Sequence, residues 1–394
     1  MREMQQDGGV TPQERIRIVG IGKAGCGVIN RIAGRWENRL ATVSVHTHEA
    51  ILSASVAPIR LQIGKAVTKG MGSGGDPETG RRAAEDDLGM LRNIFVDTDI
   101  TFFVVGLGGG TGTGALPVLV KAAHDAGSLT LCFVTLPFDF EGDGRRARAD
   151  RGLEELLNIA DMTVVVSNQQ LFEVAGGNTG LTEAFAQTDQ ALGTGIYAIW
   201  RLVSRQGLIN VDFADLQNLA RRSGGACALG YGQAGGENRA AEAANLALNC
   251  PMLGKDTVGK AAAILVSVVG GTDIKLKEIN EITTVVGSTV RKGAHTYMGA
   301  TVDSDLGDDV LVTIVASQHW KQDPDQEPAV ELSDAASPAG AKKHGRKSKP
   351  QATQTDLALT TKRKGRFKDV EPTIFDGEDV DVPTFLRWGI QIDK

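Results

Sequence analysis

A glycine-rich segment, GLGGGTGTG at residues 106–114, has the composition of a phosphate-binding loop. It follows the strongly apolar run DITFFVV (99–105) and precedes ALPVLVKAAHDAG (115–127), which is typical of a helix. Glycine costs conformational entropy, so packing alone would call for fewer glycines. A strand, a glycine-rich turn and a helix start present backbone N–H groups to an anion. We therefore expect a phosphate group at this loop.

A second glycine-rich loop, GIGKAG at residues 20–25, fits the GxGxxG pattern between a predicted strand and a predicted helix. Alone, this pattern indicates a dinucleotide site, and Glu49 lies near the place of an acid that binds ribose. A nicotinamide-dependent dehydrogenase would leave the 106–114 loop unexplained. No Gly-Lys pair in the chain is followed by Ser or Thr, which excludes a Walker-type loop. Two loops at strand ends of one sheet indicate a nucleotide held from two sides.

The composition narrows the class of protein. The 394 residues are enough for about two domains, and an apolar content of 41% hints at a disordered part. A net charge of −6 gives no case for nucleic-acid binding. The four cysteines are widely spaced and read as core residues in a reducing compartment. The chain has no apolar leader and no apolar run near the ~18 residues of a membrane span, so we expect a soluble, cytoplasmic protein.

The order of apolar runs predicts two folded parts and a tail. Short β-branched runs alternate with helix-like segments from residue 15 to about 182, which favours a parallel sheet with helices on both faces. TEAFAQTDQALGTGIYAIWRLVSR then reads as one long helix, and 224–317 reads as an α+β domain. From 318 the chain is poor in large apolar residues, which predicts disorder before apolar residues return near the C-terminus.

The GGGTGTG motif is the signature of the tubulin superfamily, and the chain resembles the FtsZ family of bacterial cell-division proteins over almost its whole length. The other matching segments keep the family's order and spacing: TKGMGSGGDPETGRRAAEDD (68–87), PFDFEG (137–142), GLINVDFADL (207–216), GENRAAEAA (236–244) and DVPTFLR (381–387). The resemblance implies a Rossmann-like GTP-binding α/β domain with a mainly parallel sheet, a long central helix and a second α+β domain. It also implies a GTPase that forms head-to-tail filaments and organises the division ring.

The resemblance also implies domain bounds. They are a flexible N-terminus (1–14), the GTP-binding domain (15–182), the central helix (183–206), a catalytic loop with its following helix (207–223), the C-terminal α+β domain (224–317), a disordered linker (318–373) and a partner-binding peptide (374–394).

The nucleotide-binding residues that the resemblance implies come from several segments. They are Gly20, Gly22, Gly25, Cys26 and Gly27 in the first loop; Gly72, Gly74 and Gly75 in the loop that senses the γ-phosphate; Gly106, Gly108, Gly109, Gly110, Thr111, Gly112, Thr113 and Gly114 at the β- and γ-phosphates; and Pro137, Glu141, Arg145, Asn168, Phe185 and Asp189 around ribose and guanine. The implied ligands are GTP and GDP, with Mg²⁺ and also K⁺ as accompanying ions; no residue is assigned as a metal ligand.

Two of these residues have a chemical reason to select guanine. The Asp189 carboxylate can accept hydrogen bonds from guanine N1–H and the exocyclic amine, whereas adenine has no N1 proton. Phe185 would stack on the base; without the resemblance, a core aromatic would be the favoured interpretation.

Asp212 and Asp215 are open to two interpretations. An Asp followed three residues later by another Asp can cap a helix. In the FtsZ pattern, Asn210, Asp212 and Asp215 lie on a loop that enters the nucleotide site of the next subunit. There the carboxylates would orient and polarise the water that attacks the γ-phosphate, which together with Mg²⁺ is adequate for phosphoryl transfer. Each active site would then be completed by self-association.

The terminal peptide resembles the family's docking segment for membrane tethers and division regulators. The residues implied in that contact are Asp381, Pro383, Phe385, Leu386 and Arg387; the alternative is a disordered end with stray apolar residues. The basic run KKHGRKSK (342–349) reads as a solvated linker. We expect no nucleic-acid partner, no membrane insertion, and a location at the mid-cell division ring.

The chain departs from the family pattern around the phosphates. Lys23, Ala24 and Cys26 replace glycines, and Gly27 stands where an Asn usually contacts the nucleotide. The stretch His46-Thr47-His48 replaces the family's Asn-Thr-Asp; two alternate histidines alone are a poor case for a metal site. These departures keep a rival open: a divergent paralogue with slow turnover that acts as a scaffold or regulator of another filament.

Overall fold

The computed structural model describes residues 15–33, 41–170, 180–204, 208–209, 211–254 and 256–321, and two short strands closer to the C-terminus. Ten strands of the unit that ends at residue 327 form one sheet. In chain order they are β1 Ile16–Ile21, β2 Ala41–His46, β3 Ile59–Gln62, β4 Ile100–Gly106, β5 Leu129–Leu136, β6 Met162–Ser167, β7 Ala226–Gly235, β8 Ala263–Gly270, β9 His295–Val302 and β10 Asp309–Ser317. Their spatial order is β3-β2-β1-β4-β5-β6-β7-β10-β8-β9.

Helices connect these strands. In chain order they are α1 Gly22–Ala33, α2 Glu49–Ser53, α3 Lys65–Thr68, α4 Pro77–Asp86, α5 Leu88–Arg92, α6 Gly110–Asp125, α7 Asp143–Leu157, α8 Leu181–Ser204, α9 Phe213–Arg222, α10 Arg239–Leu248, α11 Thr257–Lys260 and α12 Leu276–Thr289. Single 3₁₀ turns lie at Asn93–Phe95, Asp139–Glu141, Pro251–Leu253 and Ser304–Leu306.

The part of the sheet from β3 to β7 is parallel, as the alternating pattern predicts. Its strands are nearly all apolar because helices cover both faces. One face packs on α1 and α8 through residues such as Ile29 and Ile196, and the other on α4 to α7 through residues such as Leu116 and Leu156. The carboxyl ends of β1 and β4 therefore meet at one edge, where a ligand binds in sheets of this kind.

The C-terminal strands continue the same sheet. Only two residue pairs, Thr163 with Ala226 and Val164 with Cys227, join β6 to β7. Beyond them β7, β10 and β8 are antiparallel and β9 is parallel to β8. The predicted division between residues 182 and 224 thus falls where the sheet is narrowest, and the division into domains remains a prediction.

A buried ion pair ties α8 to the end of β9. The Arg201 guanidinium, with 1% of its side chain exposed, binds the carboxylate of Asp303, to which the Tyr197 hydroxyl also donates. The guanidinium also lies over the rings of Tyr197 and Trp200, at 5.7 and 5.5 Å from their centroids. Removing one partner of such a pair would leave an uncompensated buried charge.

Two details differ from the patterns read from the sequence. The stretch PETGRRAAEDDLGMLRNIF (77–95) is one of the helix-like segments that alternate with the apolar runs, but the structure divides it at Asp87 between α4 and α5. The edge strands β3 and β9 have many part-exposed residues and, like β7, were not among the apolar runs read from the sequence.

Parts of the predicted tail and N-terminus lie outside the described residues. Residues 1–14 and 322–373 are among them, and so is the docking segment from 381 onward. In the unit formed by Pro328–Lys394, Ile374–Phe375 pairs antiparallel with Glu378–Asp379. Within the described residues, no helix has the length and apolar character needed to cross a bilayer.

Candidate nucleotide site

A cavity of about 270 Å³ opens at the carboxyl ends of β1 and β4. Its wall includes the first residues of two helices, Gly22 of α1 and Gly110 of α6. Neither helix has an acidic residue in its first turn. Two positively polarised helix ends directed at one cavity form an anion site without further side chains. The prediction that the two glycine loops face one ligand agrees with this geometry.

The structure divides the predicted phosphate-binding glycines into two sets. Those that line the cavity are Gly22, Gly72, Gly74, Gly75, Gly106, Gly109, Gly110 and Gly112, together with Thr111. Gly108 and Gly114 belong to the same loop but do not line this wall. A Cβ atom on Gly114 would lie 1.9 Å from the backbone oxygen of Pro77 in α4. Gly114 therefore lets α4 and α6 meet backbone to backbone.

Gly110 and Gly80 complete that contact. A Cβ on Gly80 of α4 would lie 2.2 Å from the backbone oxygen of Gly110, and one on Gly110 would lie 2.3 Å from Ser73 Oγ. The glycine content of 106–114 thus has two causes. Part of it exposes backbone to the cavity, and part of it allows close packing of α4 on α6.

Most of the first loop also serves packing. A Cβ on Gly20 would lie 2.5 Å from the Gly25 carbonyl oxygen, and one on Gly25 would lie 2.2 Å from that of Val104. Cys26 is 1% exposed, and burial raises the pKa of its thiol to about 11. Gly27 lies beside Asp189, because a Cβ on Gly27 would be 3.9 Å from the Asp189 Oδ2 atom. None of these four residues lines the described cavity wall at the phosphates.

A chain of hydroxyl groups connects three loops behind the cavity. The Thr111 hydroxyl shares hydrogen bonds with those of Thr47 (2.7 Å) and Ser73 (3.2 Å). The buried Thr113 hydroxyl accepts from the Gly108 N–H at 2.8 Å and so closes the loop on itself, while its contact with a phosphate stays a prediction. Thr47 and Ser73 were not singled out from the sequence, because only the fold places their hydroxyls beside Thr111.

A smaller cavity of about 50 Å³ adjoins the first, and the residues predicted for guanine and ribose line it: Pro137, Glu141, Arg145, Asn168, Phe185 and Asp189. Phe185 is 40% exposed and meets Phe138 edge to face at 5.2 Å, so one of its faces is available for stacking. Asn168 is 5% exposed, and its Oδ1 has no hydrogen-bond partner among the described residues. A buried acceptor without a donor is costly, and a base edge with N–H groups would supply one.

Asp189 lies in the wall of this cavity and also contacts α1. Burial raises the pKa of its carboxyl, and the Arg31 guanidinium, with Nε 3.3 Å from Oδ2, opposes that shift. Arg31 therefore favours the charged form of this partly buried acceptor and fixes its orientation. No local pattern in the sequence indicates Arg31, since it lies 158 positions away from Asp189.

Glu141 and Arg145 are held together at the boundary between the two cavities. The Glu141 carboxylate accepts from the Phe138 N–H (2.9 Å) and binds Arg145 Nη1 at 2.7 Å. Arg145 lines both cavities, so its side chain lies where the two cavities adjoin.

The acidic pair of the 207–223 segment forms a helix cap at the start of α9. The Asp212 carboxylate accepts from the Asp215 N–H at 2.7 Å, and that of Asp215 accepts from the Asp212 N–H at 3.3 Å. The capping interpretation is therefore observed, and Asp212 is exposed on the surface of the subunit. Asn210 lies outside the described residues.

Family models match both halves of the folded region. Residues 15–176 match the Tubulin/FtsZ family, GTPase domain. Residues 225–319 match the FtsZ family, C-terminal domain.

Solved structures agree with these matches. An empty FtsZ dimer from M. jannaschii is 37% identical and aligns over 77% of this chain and 88% of its own, with a TM-score of 0.72. CetZ2 from Haloferax volcanii, described as a GTPγS-bound protofilament, is 22% identical over 77% of this chain and 94% of its own (TM-score 0.65), which shows likeness of fold alone.

The fold and the cavity thus define a GTPase of the tubulin/FtsZ class. Within that class the chain belongs to the FtsZ family of polymerising proteins, which confirms the predicted family and fold. Binding of GTP and GDP and self-association follow from that membership.

The cavity wall at the phosphates does not fit a protein-held Mg²⁺. Mg²⁺ in nucleotide sites is bound by phosphates, waters and one or two carboxylates. Among the described residues that line this wall there is no Asp or Glu, while Lys23, His46, His48 and Arg145 are present. The side chains that this subunit contributes to the cavity wall therefore suit an anion rather than a metal ion.

Proposed function

We propose that this protein assembles head to tail into GTP-dependent filaments and that each hydrolytic site is completed by Asp212 and Asp215 of the next subunit. These filaments would organise the cell-division ring on the cytoplasmic side of the membrane. Family membership supports GTP binding and self-association. The position of the acidic pair supports the shared site.

The observation that carries the proposal is the distance between the acidic pair and the nucleotide cavity of the same subunit. Asp189 and Ser204 lie 15 residues apart on one helix, α8, which corresponds to about 22 Å along the helix axis. The chain then continues to Ile209, which pairs with Ala300 of β9 before α9 begins. This path leads away from Asp189 and its cavity, which supports a site that a carboxylate of a second copy completes.

The chemistry asked of these carboxylates is modest. Phosphoryl transfer to water needs a positioned nucleophile and a stabilised phosphoryl group more than covalent catalysis. A carboxylate on the neighbouring subunit can accept a hydrogen bond from the attacking water and orient it. The helix ends and loops of the first subunit hold the phosphates.

GTP hydrolysis as a function of protein concentration tests the shared site. If a neighbour completes it, activity per subunit should be absent below a threshold concentration and rise above it, together with light scattering from filaments. Activity strictly proportional to concentration in unassembled protein would contradict the proposal. Assembly with slow or absent hydrolysis would favour the scaffold paralogue, for which the unusual Lys23, His46 and His48 are the specific observation.

Guanine selectivity has its own test in Asp189. Replacing Asp189 with Asn should weaken GTP binding and reduce its preference over ATP, because the amide cannot accept both guanine hydrogen bonds. An unchanged preference would show that Asp189 does not read the base.

We further propose that the C-terminal peptide docks on a membrane tether or regulator through residues 381–387. Deleting residues 374–394 should spare assembly in solution and abolish recruitment to the membrane in cells. Unchanged recruitment of the shortened chain would refute the docking role.

A further inference from the structure

Two positively charged or protonatable side chains in the phosphate cavity have no partner among the described residues. Lys23 and His48 both line the 270 Å³ cavity. Neither side chain makes an ion pair or hydrogen bond with the residues that the structure describes. The other two such groups are engaged, since Arg145 binds Glu141 and His46 Nδ1 accepts from the His48 N–H at 2.7 Å.

Lys23 lies where a cation is unfavourable unless an anion is bound. It is the second residue of α1, and a positive side chain at a helix N-terminus opposes the helix dipole. Neither α1 nor α6 has an acidic side chain in its first turn to offset it. A phosphate between the two helix ends would convert this repulsion into attraction.

His48 lines the same cavity from the segment that follows β2. Met71 pairs with it in an isolated β-bridge, and its ring packs near Gly72 of the loop that leads into α4. Its Nδ1 is buried and has no hydrogen-bond partner among the described residues. The acidic neighbour Glu49 is not part of the cavity wall.

We propose that Lys23 and His48 bind the terminal phosphate of GTP directly and take the place of a divalent cation in neutralising it. The inference rests on the proposed nucleotide site and specifies how that site recognises its triphosphate. It predicts a site that prefers GTP over GDP and retains that preference without Mg²⁺.

The test is equilibrium binding of GTPγS and of GDP to the full chain, each measured in excess Mg²⁺ and in excess EDTA. Wild-type protein should bind GTPγS with less than about a threefold change between the two conditions. In EDTA, Lys23→Gln and His48→Gln should each weaken GTPγS binding by about tenfold, the loss of one charge-assisted hydrogen bond. GDP binding should change much less, because GDP lacks the phosphate concerned.

Matched controls exist on the far part of α6. Lys121 and His124 are exposed, and Lys121 lies about 16 Å along the helix from Gly110. Lys121→Gln and His124→Gln should leave both affinities unchanged.

Two results would overturn the inference: loss of most GTPγS affinity of the wild type in EDTA, or unchanged GTPγS binding by the Lys23→Gln/His48→Gln double variant. Failure of the wild type to bind either nucleotide would refute the proposed nucleotide site itself.

Discussion

Replacing Asp212 with Asn separates the two roles that its carboxylate has in this protein. In the free subunit, Asp212 accepts a hydrogen bond from the Asp215 N–H at 2.7 Å and caps α9. Asn caps helices about as well as Asp, so Asp212→Asn should change the free energy of unfolding by only a few tenths of a kcal/mol. Asp212→Ala removes the cap and should cost about 1 kcal/mol.

Hydrolysis should respond in a different pattern. If the carboxylate orients the attacking water in the neighbouring site, both variants should lose the same large factor, about 10²-fold or more in turnover. GTP affinity should remain at the wild-type value in both, because Asp189 in the cavity wall lies about 22 Å along α8 from Ser204, the last helical residue before this segment. The assays are phosphate release in assembled filaments, nucleotide binding, and urea unfolding.

Wild-type turnover in assembled Asp212→Asn filaments would refute the reasoning, because the carboxylate would then serve only to cap α9.

A mixing experiment adds a second test. Asp212→Asn has an intact nucleotide site, whereas Asp189→Ala retains Asp212. In an equal mixture, about a quarter of random head-to-tail contacts would join the two intact halves, so activity should reappear. Filaments that contain both variants and stay inactive would contradict a shared site.

Three further substitutions have expected outcomes. Gly114→Ala should destabilise the fold by about 2 kcal/mol despite the helix propensity of Ala, because the new Cβ would lie 1.9 Å from a backbone oxygen of α4. As a control in the same urea unfolding assay, Gly89→Ala should be neutral or stabilising, because Gly89 has open space around it. Arg201→Met should cost about 3 kcal/mol by leaving Asp303 buried without its partner, and Arg201→Met/Asp303→Leu should recover most of that loss; equal stability of the single and double variants would contradict a buried pair. Burial, with a contribution from the neighbouring histidine, lowers the pKa of His46 to about 4 from the usual 6.5, so the unfolded chain binds a proton there that the native chain does not. The wild type should therefore lose up to about 3 kcal/mol relative to His46→Gln as the pH falls from 6.5 to 4, with no further difference below 4; parallel stability curves would refute this.

The sequence could predict the site to the level of loops. Glycine-rich turns after strongly apolar strands have few uses. The residues that the motifs assigned to guanine, Phe185 and Asp189 among them, lie together in one cavity wall, and their role in binding the base stays a prediction. The sequence could not separate glycines that face a ligand from glycines that allow close packing. Gly109 has open space beside it, whereas Gly114 touches α4. That difference depends on where a distant helix lies.

Other contacts were beyond prediction for the same reason. Arg31 beside Asp189 and Thr47 beside Thr111 are pairs from distant segments, and neither member has a local pattern that indicates the other. Short edge strands such as β3 were missed because half-exposed residues lack a clear alternation. Helix caps are local, and the cap at Asp212 was recognised as one of two interpretations.

The backbone contact between α4 and α6 has a mechanical consequence. Side chains between two helices can change rotamer and absorb a small displacement, but Gly80, Gly110 and Gly114 leave no side chain to do so. The loop that precedes α4 and the loop that precedes α6 should therefore move as one stiff body. If these loops are displaced when a terminal phosphate leaves the cavity, the contact between α4 and α6 cannot absorb the displacement. The displacement would have to occur within residues 70–76 or move α4 as a whole, and with it the surface that α4 contacts.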